Sequence, residues 1–213
     1  MTTGRIFSDQ PTKKGVPVVL SDRDGTLIRD VPYLSRLEEI ELLPGVAASI
    51  RLLNDRGIPV AIVTNQSGVA RGYFPESFIL LSHARILELL AEEGATVQGI
   101  YYCPHLLSGP EEGPLSSYIR PCPCRKPLPG LLLRALSDLG GDPGQSIMIG
   151  DADRDMAAAF KAGCRAGYRI GEGKEGTALT GDRTALLFVR SFEEAVRIFL
   201  DHLDSGTGGI PVP

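Results

Sequence analysis

The sequence has no apolar run approaching the roughly 20 residues of a bilayer span, so no transmembrane helix is expected. It lacks a basic excess as well. A net charge of -4 and a pI near 5.4 give no positive field for nucleic acid or an anionic membrane surface, and neither is expected as a partner. Met1 to Lys14 is polar, without the apolar centre of a secretory signal, so a cytoplasmic location is expected. Cysteine is scarce, with four residues in 213, and three of them crowd with a histidine into one short segment. In a reducing compartment such crowding speaks for a metal rather than for disulfides.

What is present is the composition of one sizeable domain, 43% hydrophobic and 23% charged. The expected division is an N-terminal tail over 1–14, a domain over 15–204 with a metal-binding loop at 103–124, and a C-terminal tail over 205–213. Val16 to Leu20 reads as a short buried strand, followed by an irregular excursion from Leu27 to Leu43. Val46, Ile50 and Leu53 mark a helix face. Ile58 to Val63 is a second strand, and a helix is expected from Pro75 to Glu93. Gln98 to Tyr102 reads as a third strand. Helices follow over Leu132, Leu136 and Leu139, and over Met156 and Phe160, with a strand at Ser146 to Ile149 between them. Cys164 to Ile170 and Ala185 to Val189 are further strands. Ser191 and Glu194 spell a capping box before a last helix. Strands alternating with helices predict an α/β fold, a doubly wound parallel sheet.

In such sheets ligands bind outside the carboxyl ends of the strands. Asp22-Arg23-Asp24-Gly25-Thr26, Thr64-Asn65-Gln66-Ser67-Gly68 and Gly150-Asp151 all fall there. Residues two apart in a strand share a side, so Asp22 and Asp24 are expected roughly 6–7 Å apart and facing one site. Carboxylates at 22, 24 and 151, the Thr64 hydroxyl, and the cations Arg125 and Lys126 suit Mg²⁺ and a phosphate. Asp22, ionised at neutral pH, is the expected nucleophile. Asp24 is the expected general acid and base, in surroundings that keep it protonated. Thr64 and the backbone N–H groups of Asn65 to Ser67 would hold phosphate oxygens, and Lys126 would offset charge.

Asp-Arg-Asp-Gly-Thr, the threonine after the second strand, Lys126 before a helix, and Gly-Asp with Asp155 four residues on together resemble the four motifs of the haloacid dehalogenase superfamily. Thr-Asn-Gln-Ser-Gly-Val-Ala-Arg-Gly and the Cys103/His105…Cys122/Cys124-Arg125-Lys126-Pro127 segment are more narrowly similar to the phosphatases of D-glycero-D-manno-heptose 1,7-bisphosphate. The histidinol-phosphate phosphatases are near relatives. The resemblance runs from about Val16 to Ile170. It implies a capless, Rossmann-like, Mg²⁺-dependent phosphatase working through an aspartyl-phosphate on a small phosphorylated substrate. It further implies that Asp22, the Asp24 carbonyl and Asp151 hold Mg²⁺. Asp30, Val31, Pro32, Tyr33, Thr64 to Ser67, Arg125 and Lys126 would contact substrate. Where the heptose enzymes usually place a lysine after the metal-binding aspartate, this chain has Ala152, leaving Arg125 or Arg71 to meet a second phosphate. A histidinol phosphatase, or a zinc-stabilised binding domain without turnover, are the alternative readings; a monomer is expected.

Cys103-Pro-His105 and Cys122-Pro-Cys124 supply a closed tetrahedral set for Zn²⁺, in a structural role that holds Arg125 and Lys126. Cys164 reads as a core residue, His83 and His202 as packed or solvated, and Asp153 as a helix cap. Asp155 reads equally as an orienting group for Lys126 or as a further charge near that cap. Gly171-Glu-Gly173-Lys-Glu-Gly176 spells a dinucleotide pattern, but no apolar helix follows, so a loop is expected.

Overall fold

A strand covered on both faces sends alternate side chains into two apolar layers, and the first long apolar run does this. Val19 packs into one core layer, while Val18 and Leu20 pack into the other. The protein's structure, a computed structural model, describes residues 6–7, 14–32, 34–108, 115–172, 178–179 and 184–205. Its strands are β1 (Ile6–Phe7), β2 (Val19–Ser21), β3 (Val60–Asn65), β4 (Gly99–Cys103), β5 (Ile147–Gly150), β6 (Ala166–Ile170), β7 (Ala178–Leu179) and β8 (Ala185–Val189). Its helices are α1 (Val46–Asp55), α2 (Glu76–Glu92), α3 (Gly130–Leu139), α4 (Asp153–Ala162) and α5 (Phe192–Asp204).

The sheet order is β1-β4-β3-β2-β5-β6-β8-β7, with β4 to β8 in that order forming a parallel block. The chain lays β3 and β4 on one side of β2, then returns to lay β5, β6 and β8 on the other. The reversal at β2 opens a crevice at the carboxyl ends of β2, β3 and β5. Apolar faces of α1, α2 and α5 (Ile50, Leu53, Ile86, Leu90, Phe199) cover one side of the sheet. Those of α3 and α4 (Leu132, Leu136, Met156, Ala159) cover the other. The expected doubly wound parallel sheet is present.

Two edge strands were not expected. Ile6–Phe7 pairs antiparallel with β4 inside the stretch read as a tail, and Ala178–Leu179 pairs antiparallel with β8. Two-residue pairings are too short to carry any hydrophobic period. Between β2 and α1 the described residues hold only a 3-10 turn at Leu37–Glu39. α3 stops at Gly140, whose φ of +65° is the left-handed C-cap that glycine adopts without a steric cost. Ser191 caps α5 by accepting the Glu194 N–H at 3.1 Å, but Glu194 turns its carboxylate back to the Arg190 N–H at 2.7 Å rather than closing the box on Ser191. Asp153 is not a cap: Ala152 holds that position, and Asp153 lies exposed in the first turn, 3.2 Å from Arg169. Much of the glycine pattern at 171–176 lies outside the described residues. Among those residues no helix is long and apolar enough to cross a membrane.

Candidate active site

The Asp22 N–H still bonds to Ile149 O across to β5, at 2.9 Å, but beyond it the backbone turns. The N–H groups of Leu27 and Ile28 both reach Arg23 O, at 2.9 and 3.1 Å. The alternation of an extended strand therefore lapses before Asp24. Asp24 stays close enough for its charge to bear on Asp22, but its carboxylate stands outside the tight acidic cluster. The carboxylates that converge are Asp22, Asp151 and Asp155, with ligand atoms all within 4.8 Å of one another. Asp155, fully buried in the first turn of α4, is fixed by the Ala152 N–H, which donates to its Oδ2 at 3.1 Å.

Lys126 enters this cluster from the loop before α3. Its side chain is 0% exposed, and its Nζ lies 3.0 Å from Asp22 Oδ1, 2.7 Å from Asp155 Oδ1 and 2.7 Å from Val63 O. Three acceptors match the three hydrogens of an ammonium. Asn65 anchors the backbone behind it: its amide donates to Lys126 O at 2.9 Å and accepts from Lys126 N at 3.0 Å. One ammonium among three carboxylates, Asp22 and Asp155 buried and Asp151 half-buried, leaves an excess of negative charge. Burial foremost raises the Asp22 carboxyl above its usual range, with Lys126 opposing and Asp155 and Asp24 reinforcing. Burial and then the Asp22 charge raise Asp151. Asp151 Oδ1 is buried without a hydrogen-bond partner. Opposite it, Gly25 (φ +69°) leaves a space where a Cβ would stand 2.6 Å from Asp151 Oδ2. Hard oxygen donors, surplus negative charge and an unsatisfied buried oxygen fit a small divalent cation such as Mg²⁺.

The second polar group lies at the end of β3. Gln66 Nε2 donates to Thr64 Oγ1 at 3.0 Å and to Asp24 Oδ2 at 2.8 Å. Asp24 also accepts from Arg23 Nε at 3.2 Å and Nη2 at 2.9 Å. Two residues, Arg23 and Gln66, thus hold the Asp24 carboxylate from its two sides.

Beside Asp24 opens a recess of about 230 Å³, whose walls include Asp30, Val31, Ser67, Arg71, Phe74 and Arg154. Asn65 and Gln66 also contribute, so five of the expected substrate contacts share this space. Pro32 is exposed away from it, and Tyr33 lies outside the described residues. Arg125 is not part of the wall; its Nη1 donates to His105 O at 3.1 Å. Burial lowers its guanidinium pKa, and the positive charges of Arg154 and Arg71 add to that. Arg23, Arg154 and Phe74 went unread in the sequence. A single arginine or aromatic has no spacing signal, and only the fold brings these to one wall.

At the end of β4, beside β3, Cys103, His105, Cys122 and Cys124 gather with ligand atoms within 4.8 Å of one another. Sulfur–sulfur distances are 3.1–3.4 Å, and His105 Nδ1 lies 3.5 Å from Cys103 and 3.6 Å from Cys124. Three Zn–S bonds of about 2.3 Å would set sulfur–sulfur edges of about 3.8 Å, so a slight expansion accommodates Zn²⁺. Hydrogen bonding with Cys103 draws the Cys124 thiol down to about 5, toward the thiolate that a metal requires. The loop is also pinned without metal: Glu76 accepts from Tyr102 OH at 2.9 Å and from Tyr118 OH at 2.8 Å.

The sequence profile of the haloacid dehalogenase-like hydrolases matches residues 32–163. A D-glycero-beta-D-manno-heptose-1,7-bisphosphate 7-phosphatase of Haemophilus ducreyi is 39% identical over 183 residues, covering 85% of this chain and 97% of that one. Its counterpart in Mesorhizobium japonicum is 41% identical over 167 residues, 78% of this chain and 73% of that one. Among solved structures, a HAD-like protein from Mesorhizobium loti superposes with a TM-score of 0.82 at 35% identity, covering 95% and 93% of the two chains. The D,D-heptose 1,7-bisphosphate phosphatase of B. bronchiseptica, complexed with magnesium and phosphate, gives 0.71 at 28% identity over 88% and 99%. With the profile covering more than half its length and these relatives spanning most of it, the chain belongs to the haloacid dehalogenase-like hydrolases.

Proposed function

We propose that the protein is an Mg²⁺-dependent phosphomonoesterase that removes the 7-phosphate of D-glycero-D-manno-heptose 1,7-bisphosphate, acting as a cytoplasmic monomer. The observation that carries this reading is the buried Lys126 ammonium between Asp22 and Asp155, with the unpartnered Asp151 oxygen beside them. Asp22 and Asp151, with the Asp24 carbonyl, would hold Mg²⁺. When bound, the ion offsets phosphate charge and steadies one phosphate oxygen. Bringing a carboxylate to about 4 Å from a phosphate costs roughly 4 kcal/mol per pair of unit charges at an effective dielectric of 20, and Lys126 opposes that repulsion.

The Asp22 carboxylate attacks phosphorus as the ester P–O bond breaks, and Asp24 gives its proton to the leaving oxygen. Water then cleaves the aspartyl-phosphate and returns a proton to Asp24. The Thr64 hydroxyl and the N–H groups of Asn65 and Ser67 hold the phosphate oxygens, the Gln66 N–H being taken by Cys103 O at 2.8 Å. The choice of sugar follows three of the four relatives above, which are heptose bisphosphate enzymes by name. A recess with arginines 71 and 154 in its wall, and Arg125 close by, supports a second anionic group on the substrate. Zn²⁺ on the cysteine–histidine set would be structural, holding the His105 carbonyl that receives Arg125.

Phosphate release from heptose 1,7-bisphosphate, measured with and without Mg²⁺ and repeated on Asp22→Asn, tests the proposal. Metal-dependent release that Asp22→Asn abolishes is expected; an active Asp22→Asn variant overturns the nucleophile. Faster turnover of histidinol phosphate would move the substrate to that compound.

A further inference from the structure

Arg23 stands between the two aspartates at the end of β2 and has no part in the steps above. Its side chain is only 4% exposed although it lies on the phosphate rim. Its donors are turned inward: Nε and Nη2 onto the Asp24 carboxylate, and Nη1 onto Ser82 Oγ at 3.1 Å. Ser82, buried in α2, donates its hydroxyl hydrogen bond to Ile79 O at 2.7 Å. A guanidinium fork grips both edges of a carboxylate and fixes its plane, which a single ammonium cannot do.

On the far side of Asp24, one Gln66 nitrogen serves two groups, Asp24 Oδ2 and Thr64 Oγ1. The amide orientation is set chemically, because its oxygen turned the other way would face a carboxylate. Thr64 accepts from Gln66 and so keeps its own hydrogen free for another acceptor. The result is a continuous chain from α2 to the end of β3: Ser82, Arg23, Asp24, Gln66, Thr64.

We infer that Arg23, anchored on Ser82, and Gln66 are positioning residues that place the Asp24 carboxylate relative to the Thr64 hydroxyl. The group that handles the leaving-group proton and the group that holds the phosphate are thereby set by one network. The inference rests on the phosphatase reading. Arg23 borders the recess, but its donors are spent on Asp24 and Ser82, so altering it acts through Asp24 and the effect depends on how much the leaving group needs a proton. A sugar alkoxide needs one, whereas 4-nitrophenolate leaves without it.

The test compares heptose 1,7-bisphosphate with 4-nitrophenyl phosphate, both under saturating Mg²⁺, in wild type, Arg23→Lys and Ser82→Ala. In Arg23→Lys, kcat/KM on the sugar phosphate, which reports the steps up to leaving-group departure and not the shared hydrolysis of the aspartyl-phosphate, should fall roughly 10- to 100-fold, and kcat/KM on the nitrophenyl ester only about threefold or less. Ser82→Ala should shift the same ratio in the same direction by a smaller factor, and it decides the matter should Arg23→Lys fail to fold. Equal losses on both substrates overturn the inference. So does a Ser82→Ala ratio equal to that of wild type. Wild type without activity on either ester would instead overturn the phosphatase reading beneath it.

Discussion

Replacing Lys126 by methionine keeps the length of the side chain and removes its charge. The ammonium is wholly buried and serves Asp22, Asp155 and the Val63 carbonyl at 3.0, 2.7 and 2.7 Å, so solvent screening does not soften its loss. Removing one partner of a buried ion pair costs about 3–5 kcal/mol, chiefly because the other charge is left stranded. In a domain of this size each kcal/mol moves the melting temperature by about 2–4 °C, so Lys126→Met should melt roughly 6–20 °C below wild type in EDTA. Mg²⁺ should recover part of that deficit, since it supplies positive charge to the same carboxylates, while turnover stays abolished. Lys126→Arg should keep more stability than Lys126→Met but little activity, because a planar fork cannot meet three acceptors arranged for an ammonium. Thermal unfolding by circular dichroism, with and without Mg²⁺, measures all three proteins. A folded Lys126→Met protein melting within about 2 °C of wild type in EDTA would refute the claim that this ammonium holds the cluster together.

Gly25→Ala should raise the Mg²⁺ requirement of turnover roughly tenfold or more, because the new methyl would stand 2.6 Å from Asp151 Oδ2 at a backbone φ of +69°; unchanged Mg²⁺ titration would count against Asp151 as a ligand. Metal analysis of the purified protein should find one zinc per chain, reduced in Cys124→Ser, with chelation loosening the 103–124 loop; a zinc-free protein with an intact loop would contradict this. His83, buried edge-on to Tyr102 at 5.6 Å, has its pKa lowered well below 6.5 by burial and then by the Arg23 charge. The unfolded chain therefore takes up the proton first as pH falls, so stability is full above about pH 7 and declines below 6.5 by up to about 1.4 kcal/mol per pH unit. Urea unfolding of His83→Phe between pH 7.5 and 5.5 should lack that component; an identical decline in the variant would refute it.

The sequence by itself determined the fold class and most of the rim. The buried runs at Val18 to Leu20, Val60 to Val63 and Ile147 to Ile149 are apolar on both faces, which only a covered parallel sheet satisfies. Polar residues at the ends of such runs then had to meet at the sheet's carboxyl edge. Cys103, His105, Cys122 and Cys124 were legible because paired soft ligands in an otherwise structureless segment have few other uses. What tertiary structure decided was direction. Asp24 stands outside the tight carboxylate cluster because the chain turns after Asp22, and Asp155 joins that cluster through a helix that starts two residues beyond Asp151. Asn65, whose backbone N–H is read as a phosphate contact, turns its side-chain amide onto the backbone of Lys126, which spacing did not foretell. Spacing along a chain fixes which residues can arrive at a site. Where a side chain points depends on the backbone torsions at the end of a strand and on which buried donor finds which buried acceptor, and both are settled only when the layers pack.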